Sequence, residues 1–221
     1  MRIVAWDVPV RLFHGALAVL AAFSFTTGHV GGEWLAWHMR SGYCILALLA
    51  FRIAWGVVGS DTARFASFVR GPAAAWRYGR ETFARRHPAI VGHNPLGGWM
   101  VLVLLAALAL QAFSGLFVDD EIATQGPLAV KVSNAFVSRM SHWHQVNQWV
   151  VVGAVALHVL AIAAYWKLAG INLVRPMIDG GVEVAPGTPA PRLRSSLLAA
   201  LLLAVAATGV YWLVAVYPKA P

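Results

Sequence analysis

The chain has 221 residues and a mass of 23.8 kDa, of which 59% are apolar and only 12% charged, against about 45–50% and about 25% in soluble domains. With a mean hydropathy of +0.67, so few charges cannot cover the surface of a water-soluble globule, and the chain reads as an all-α integral membrane protein. Its net charge of +8 then speaks for membrane topology and lipid headgroups rather than nucleic acid, and its single cysteine, Cys44, excludes an intrachain disulfide, a Cys-ligated iron–sulfur cluster and haem attachment through C-x-x-C-H.

A membrane-crossing helix needs about 20 mostly apolar residues. In chain order five stretches supply them: Leu12 to about Gly28, about Trp37 to Val58, Pro95 to Val118, about His142 to Trp166, and Ser195 to Tyr217. No alternating strand pattern is present, so each span is expected to satisfy its backbone as helix. Between the second and third spans, Pro72–Arg86 places Trp76, Arg80 and Phe83 at helical spacing. That pattern suits an amphipathic helix on the headgroups, and equally a plain basic loop. Residues 179–192 are rich in Pro and Gly and read as a connection to the fifth span. The expected division is a four-helix core over 1–170, a cytoplasmic linker over 171–194 and an additional transmembrane helix over 195–217.

Basic residues set the expected direction. With the N-terminus inside, the inner segments hold twelve Lys and Arg, including Arg2, Arg11, Arg64, Arg70, Arg77, Arg80, Arg85 and Arg86. The outer segments hold only Arg40, Lys131, Arg139 and Lys219. Positive charge stays inside, which predicts a cytoplasmic N-terminus, a periplasmic C-terminus and a home in a bacterial inner membrane.

Eight histidines are spread along the chain, and ionisable residues within spans are costly and usually functional. His87 and His93 fall in the cytoplasmic loop, where a solvated role is the default. On the fourth span His144 and His158 are fourteen residues apart, within about 40° of one face and about 21 Å apart along the axis. His142 points away from His158 and reads as a residue of the outer helix end. Span directions put His14 level with His158 near the inner face and His38 level with His144 near the outer one. His29, among the glycines Gly28, Gly31 and Gly32, competes with His38 for the outer level.

Two stacked imidazole pairs without carboxylates or thiolates suit neither magnesium nor calcium, and they fall short of the four ligands of structural zinc. A macrocycle with four equatorial nitrogens needs only two axial ligands, so two haem b groups fit. Arg52 lies fourteen residues after His38, on its face at the inner level, where a haem propionate would be its natural anion; snorkelling to headgroups is the alternative. Gly42, Gly97 and Gly115 would admit a flat porphyrin or serve close helix packing. The remaining alternative makes all four histidines polar glue between helices.

These residues resemble the prokaryotic cytochrome b561 family, which includes the b-type cytochrome subunits of nickel–iron hydrogenases. The matching pieces are Trp6-Asp7…Arg11…His14, then His38…Gly42…Arg52…Trp55-Gly56…Gly59, Arg64-Phe65…Phe68, His93-Asn94-Pro95…Gly97-Gly98, and His144…His158. The resemblance implies a four-helix core holding two haems through His14, His38, His144 and His158, with Arg11 and Arg52 on the cofactor side. Gly15 departs from the Trp that family members often carry after the first His, and the fifth span has no counterpart in the four-helix members.

Bis-His haems leave no open iron position and suit electron transfer. The expected function is electron exchange between membrane quinone and a partner such as a c-type cytochrome or dehydrogenase subunit, with the fifth span as a docking helix. The outer stretch Ser133–Gln145 is a faint pointer to the quinone. Two other readings stand beside this one. A stand-alone superoxide:ubiquinone oxidoreductase is disfavoured by so few outer cations opposed by Asp119, Asp120 and Glu121. A haem-free membrane adaptor is the last.

Overall fold

The computed structural model describes residues 1–83, 91–120 and 124–220, Phe83 by its backbone alone. Arg85, Arg86, His87 and Glu121 lie outside the described residues. In chain order the elements are β1 (Arg2–Val4), α1 (Val8–Val30), α2 (Leu35–Val58), α3 (Phe65–Phe68), α4 (Pro72–Phe83), α5 (Pro95–Gly115), α6 (Asn134–Ala169), α7 (Val174–Asp179), β2 (Gly181–Glu183) and α8 (Ser196–Tyr211). Helices α1, α2, α5, α6 and α8 with its continuation to Lys219 are long and apolar enough to cross a membrane, and the protein is an all-α membrane protein.

Polar residues placed just before the apolar runs start the helices. Asp7 Oδ1 accepts the Val10 N–H at 2.8 Å, Asn94 Oδ1 accepts that of Gly97 at 2.7 Å, and Ser133 Oγ accepts that of Phe136 at 3.4 Å. Each satisfies one of the donors that a first turn leaves open. Pro95 then occupies the first position of α5, where its missing N–H costs nothing. Helix α6 begins eight residues before the apolar stretch, because Ser133 caps a polar turn that hydropathy does not register. Helix α8 gives way to a π-turn at Trp212–Val216.

The chain packs as two compact units. The first comprises Met1–His14, Arg52–Leu104 and Ala154–Ala199. Here β1 pairs antiparallel with β2, Ile3 opposite Val182, and Gly180 turns the chain at φ +80° so that its carbonyl accepts the Ala5 and Trp6 N–H groups. Farther on, the Asp61 N–H donates to the Arg192 carbonyl while the Arg192 N–H donates to Asp61 Oδ2 at 2.9 Å, and the Arg194 N–H bonds to Ser60 Oγ at 2.9 Å. The second unit comprises Gly15–Phe51, Leu105–Gly153 and Ala200–Pro221. One of its buried clusters is Ile45, Leu49 and Leu108; another is Leu116, Phe117 and Leu128, against which Leu213 and Val214 pack. Lys131 Nζ donates to the Ala220 carbonyl at 2.5 Å and so ties down the C-terminal turn.

Candidate functional site

In the second unit, His38 of α2 and His144 of α6 face one another with ring centres 6.0 Å apart and planes at 86°. In the first unit, His14 of α1 and His158 of α6 stand with ring centres 6.3 Å apart and planes at 58°. Two imidazoles bound to one metal from opposite sides, through bonds of about 2 Å each, have ring centres about 6 Å apart.

The second-unit rings are fixed through Nδ1. His38 Nδ1 lies 2.8 Å from the Ser24 carbonyl oxygen and 3.2 Å from Ser24 Oγ. His144 Nδ1 lies 3.0 Å from the Gln111 carbonyl oxygen and 3.2 Å from Ser114 Oγ. A carbonyl oxygen only accepts, so both Nδ1 atoms carry the proton and both Nε2 atoms keep a lone pair. That tautomer, with Nδ1–H on a backbone carbonyl, is the one metal-bound histidines adopt. In each case a glycine four residues beyond the acceptor lets the ring come close. A Cβ at Gly28 would lie 2.8 Å from His38 Nδ1, and one at Gly115 would lie 3.0 Å from His144 Cε1. A Cβ at Gly42 would meet nothing within 4 Å, so close helix contact does not require glycine there. Alongside His144, Asn147 Nδ2 donates to the Ala107 carbonyl at 2.9 Å and to Gln111 Oε1 at 2.8 Å, while Gln111 Nε2 donates to the His144 carbonyl at 3.0 Å.

The first unit is built differently. Among the described residues neither His14 nor His158 has a hydrogen-bond partner on its ring; the same unit holds two guanidinium groups with buried nitrogens. Arg52 is only 3% exposed, its guanidinium 5.0 Å over the Phe65 ring, and its Nη1 is buried without a partner. It is held inside the unit and does not snorkel. Arg11 Nε is likewise buried and unpartnered. Asp7 acts electrostatically on Arg52 while its own oxygens are engaged by the Val10 N–H and by Trp55 Nε1 at 3.0 Å. Two guanidiniums with orphaned donors call for an anion.

His29 takes no part in the second-unit pair: it lies exposed on the Phe25 ring with Nδ1 2.9 Å from the Phe25 carbonyl. His142 is exposed beside Trp143 and, with Gln145 and Trp149, borders an open groove along one side of α6. His93, expected in solvent, packs edge-on to Trp6 and against Phe68. Burial, with Arg52 nearby, pushes its pKa down to about 3 and keeps the ring neutral. The histidine spacing leaves His93 in solvent and does not point to Ser24, Gln111, Ser114 or Asn147. Gln111, Ser114 and Asn147 could have been found as polar residues inside uncharged spans.

Among the described residues no group of three or more His, Cys, Asp or Glu side chains is placed to hold a metal ion. Two protein nitrogens per site leave a bare ion under-coordinated, whereas they complete a porphyrin iron, and the orphaned guanidinium donors suit its carboxylates. The donor set fits haem. No curated protein and no solved structure matches the chain. The family model described as prokaryotic cytochrome b561 matches residues 5–180, about four-fifths of its length. The chain belongs to the prokaryotic cytochrome b561 family, and with it to the b-type cytochromes of membrane electron transfer.

Proposed function

We propose that this protein is a dihaem cytochrome in which His14 and His158 hold one haem b and His38 and His144 the other, carrying electrons between the quinone pool and a redox partner such as a c-type cytochrome or a dehydrogenase subunit. Bound through two imidazoles, each haem supplies one-electron transfer without an open coordination position for substrate. The chain's own residues hold and tune the cofactors. The Ser24 and Gln111 carbonyls fix the tautomer of His38 and His144, and Arg52 and Arg11 answer the negative charge of the propionates. One observation carries the reading: two imidazole pairs at the spacing of a shared metal, one of them oriented through Nδ1.

The positive-inside distribution supports a cytoplasmic N-terminus, a periplasmic C-terminus and a bacterial inner membrane. On that orientation the His14–His158 pair is the inner one. Helix α8 keeps Leu197, Leu201 and Val205 exposed and is proposed as the docking helix for a second redox subunit or for lipid. The test is the haem-to-protein ratio of the purified protein with its reduced-minus-oxidised spectrum. Two haems per chain and a b-type α-band are expected; a protein that binds no haem when supplied with it ends the proposal.

A further inference from the structure

The first unit contains a third imidazole that the haem assignment above leaves unused. His93 sits two residues before the start of α5, its ring centre 4.6 Å from that of Trp6 at 72° and 4.5 Å from that of Phe68 at 46°. Its Nδ1 is buried and has no hydrogen-bond partner. Two other buried nitrogens of this unit share that state, Arg11 Nε and Arg52 Nη1. Packed rings connect Arg52 to His93: the Arg52 guanidinium lies on Phe65, Phe65 lies 5.8 Å from Phe68, and Phe68 lies on His93. His93 is within electrostatic reach of Arg52, His14 and His158. Buried polar atoms are nearly always satisfied, and an unsatisfied one asks for a missing partner. Three such nitrogens in one unit, two of them on cations, point to an acceptor that is anionic and has several oxygens. A pair of carboxylates meets that requirement.

We infer that His93 is a third donor, with Arg11 and Arg52, to the propionate carboxylates of the haem held by His14 and His158. The inference rests on the haem reading above and assigns His93 a binding role that does not involve the iron. A hydrogen bond from His93 draws off propionate charge, so the reduced haem is less disfavoured.

The test is a redox titration of the purified, haem-loaded protein as wild type, His93→Leu and His93→Gln, with haem per chain measured alongside. Leucine removes the donor. It is expected to lower the potential of one haem by about tenfold in its equilibrium, or about 59 mV for a one-electron couple, and to leave the other haem unmoved. Glutamine keeps an N–H donor and is expected to restore the wild-type potential. If His93→Leu fails to fold, the glutamine variant decides: a wild-type potential supports the inference, and a shift or loss of one haem overturns it. Unchanged potentials in His93→Leu also overturn it. A wild-type protein that binds no haem sinks the haem reading itself.

Discussion

At His38 and His144 one proton decides the chemistry. With Nδ1–H committed to a backbone carbonyl, Nε2 keeps its lone pair free for a metal. The histidine spacing was legible in the sequence, because fourteen residues bring a helix back to nearly the same face. The orienting acceptors were not, since a backbone carbonyl has no sequence signature and only the packed helix pair selects Ser24 and Gln111. His93 escaped for a related reason: a loop position looks solvated until a turn folds it against Trp6 and Phe68. Gly28→Ala places a Cβ 2.8 Å from His38 Nδ1, and the ring can yield only by giving up its bond to the Ser24 carbonyl. Losing such an orienting partner costs about 10–100-fold in metal affinity. Haem per chain is therefore expected to fall from two towards one as the preparation is diluted, with the first-unit haem retained. Arg52→Leu removes a buried cation from the unit that holds His14 and His158. One of the two midpoint potentials is expected to drop, by about 59 mV if the equilibrium changes tenfold, in a redox titration; an unmoved pair of potentials would place Arg52 outside the haem site.

Among the elements, the five spans were readable from hydropathy alone, while their ends were set by caps that hydropathy misses. Asp7 illustrates a double role. It caps α1 with one oxygen and holds Trp55 of α2 with the other, which gives the sequence pieces around Trp6-Asp7 and Trp55-Gly56 a common physical cause. The stretch 179–192 reads by composition as a loose Pro/Gly connection. Its backbone is nevertheless paired with Met1, Ala5 and Asp61, partners more than 100 residues away that no local pattern announces. Two carboxylates fasten it. Asp61 is held below the usual carboxylate range by the Arg192 N–H first and by Arg64 as well. Asp179 is held low by the Gly181 N–H first and then by Arg175 and Arg2, the last at 2.6 Å. A depressed carboxylate stabilises the folded arrangement above its unfolded pKa of about 4 and loses that contribution as pH falls through the lowered folded value. Limited proteolysis at Arg192 and Arg194 is expected to be slow at pH 7, to quicken below pH about 4, and to quicken at pH 7 in Asp61→Asn. Equal cleavage of wild type and Asp61→Asn at pH 7 would show that the carboxylate does not hold the segment.

For the whole molecule, composition established the membrane, the family match established the class of protein, and the imidazole pairs supply the proposed chemistry. The differences between the pairs give them different characters. On the proposed assignment, the Nδ1 hydrogen bonds of one pair would enrich the ligands and favour oxidised iron, while the buried guanidinium groups in the unit of the other would favour the reduced form, so the first-unit haem is expected to have the higher potential. That ordering would send electrons towards the His14–His158 pair at equilibrium. The central claim is that two independent imidazole pairs each hold a haem. It is tested most directly by haem content and redox titration of His14→Ala and His38→Ala, each checked by circular dichroism for an intact helical bundle. Each variant is predicted to keep one haem per chain, His14→Ala losing the higher-potential wave and His38→Ala the lower. Folded variants that both retain two haems, or that both lose the same wave, would contradict it.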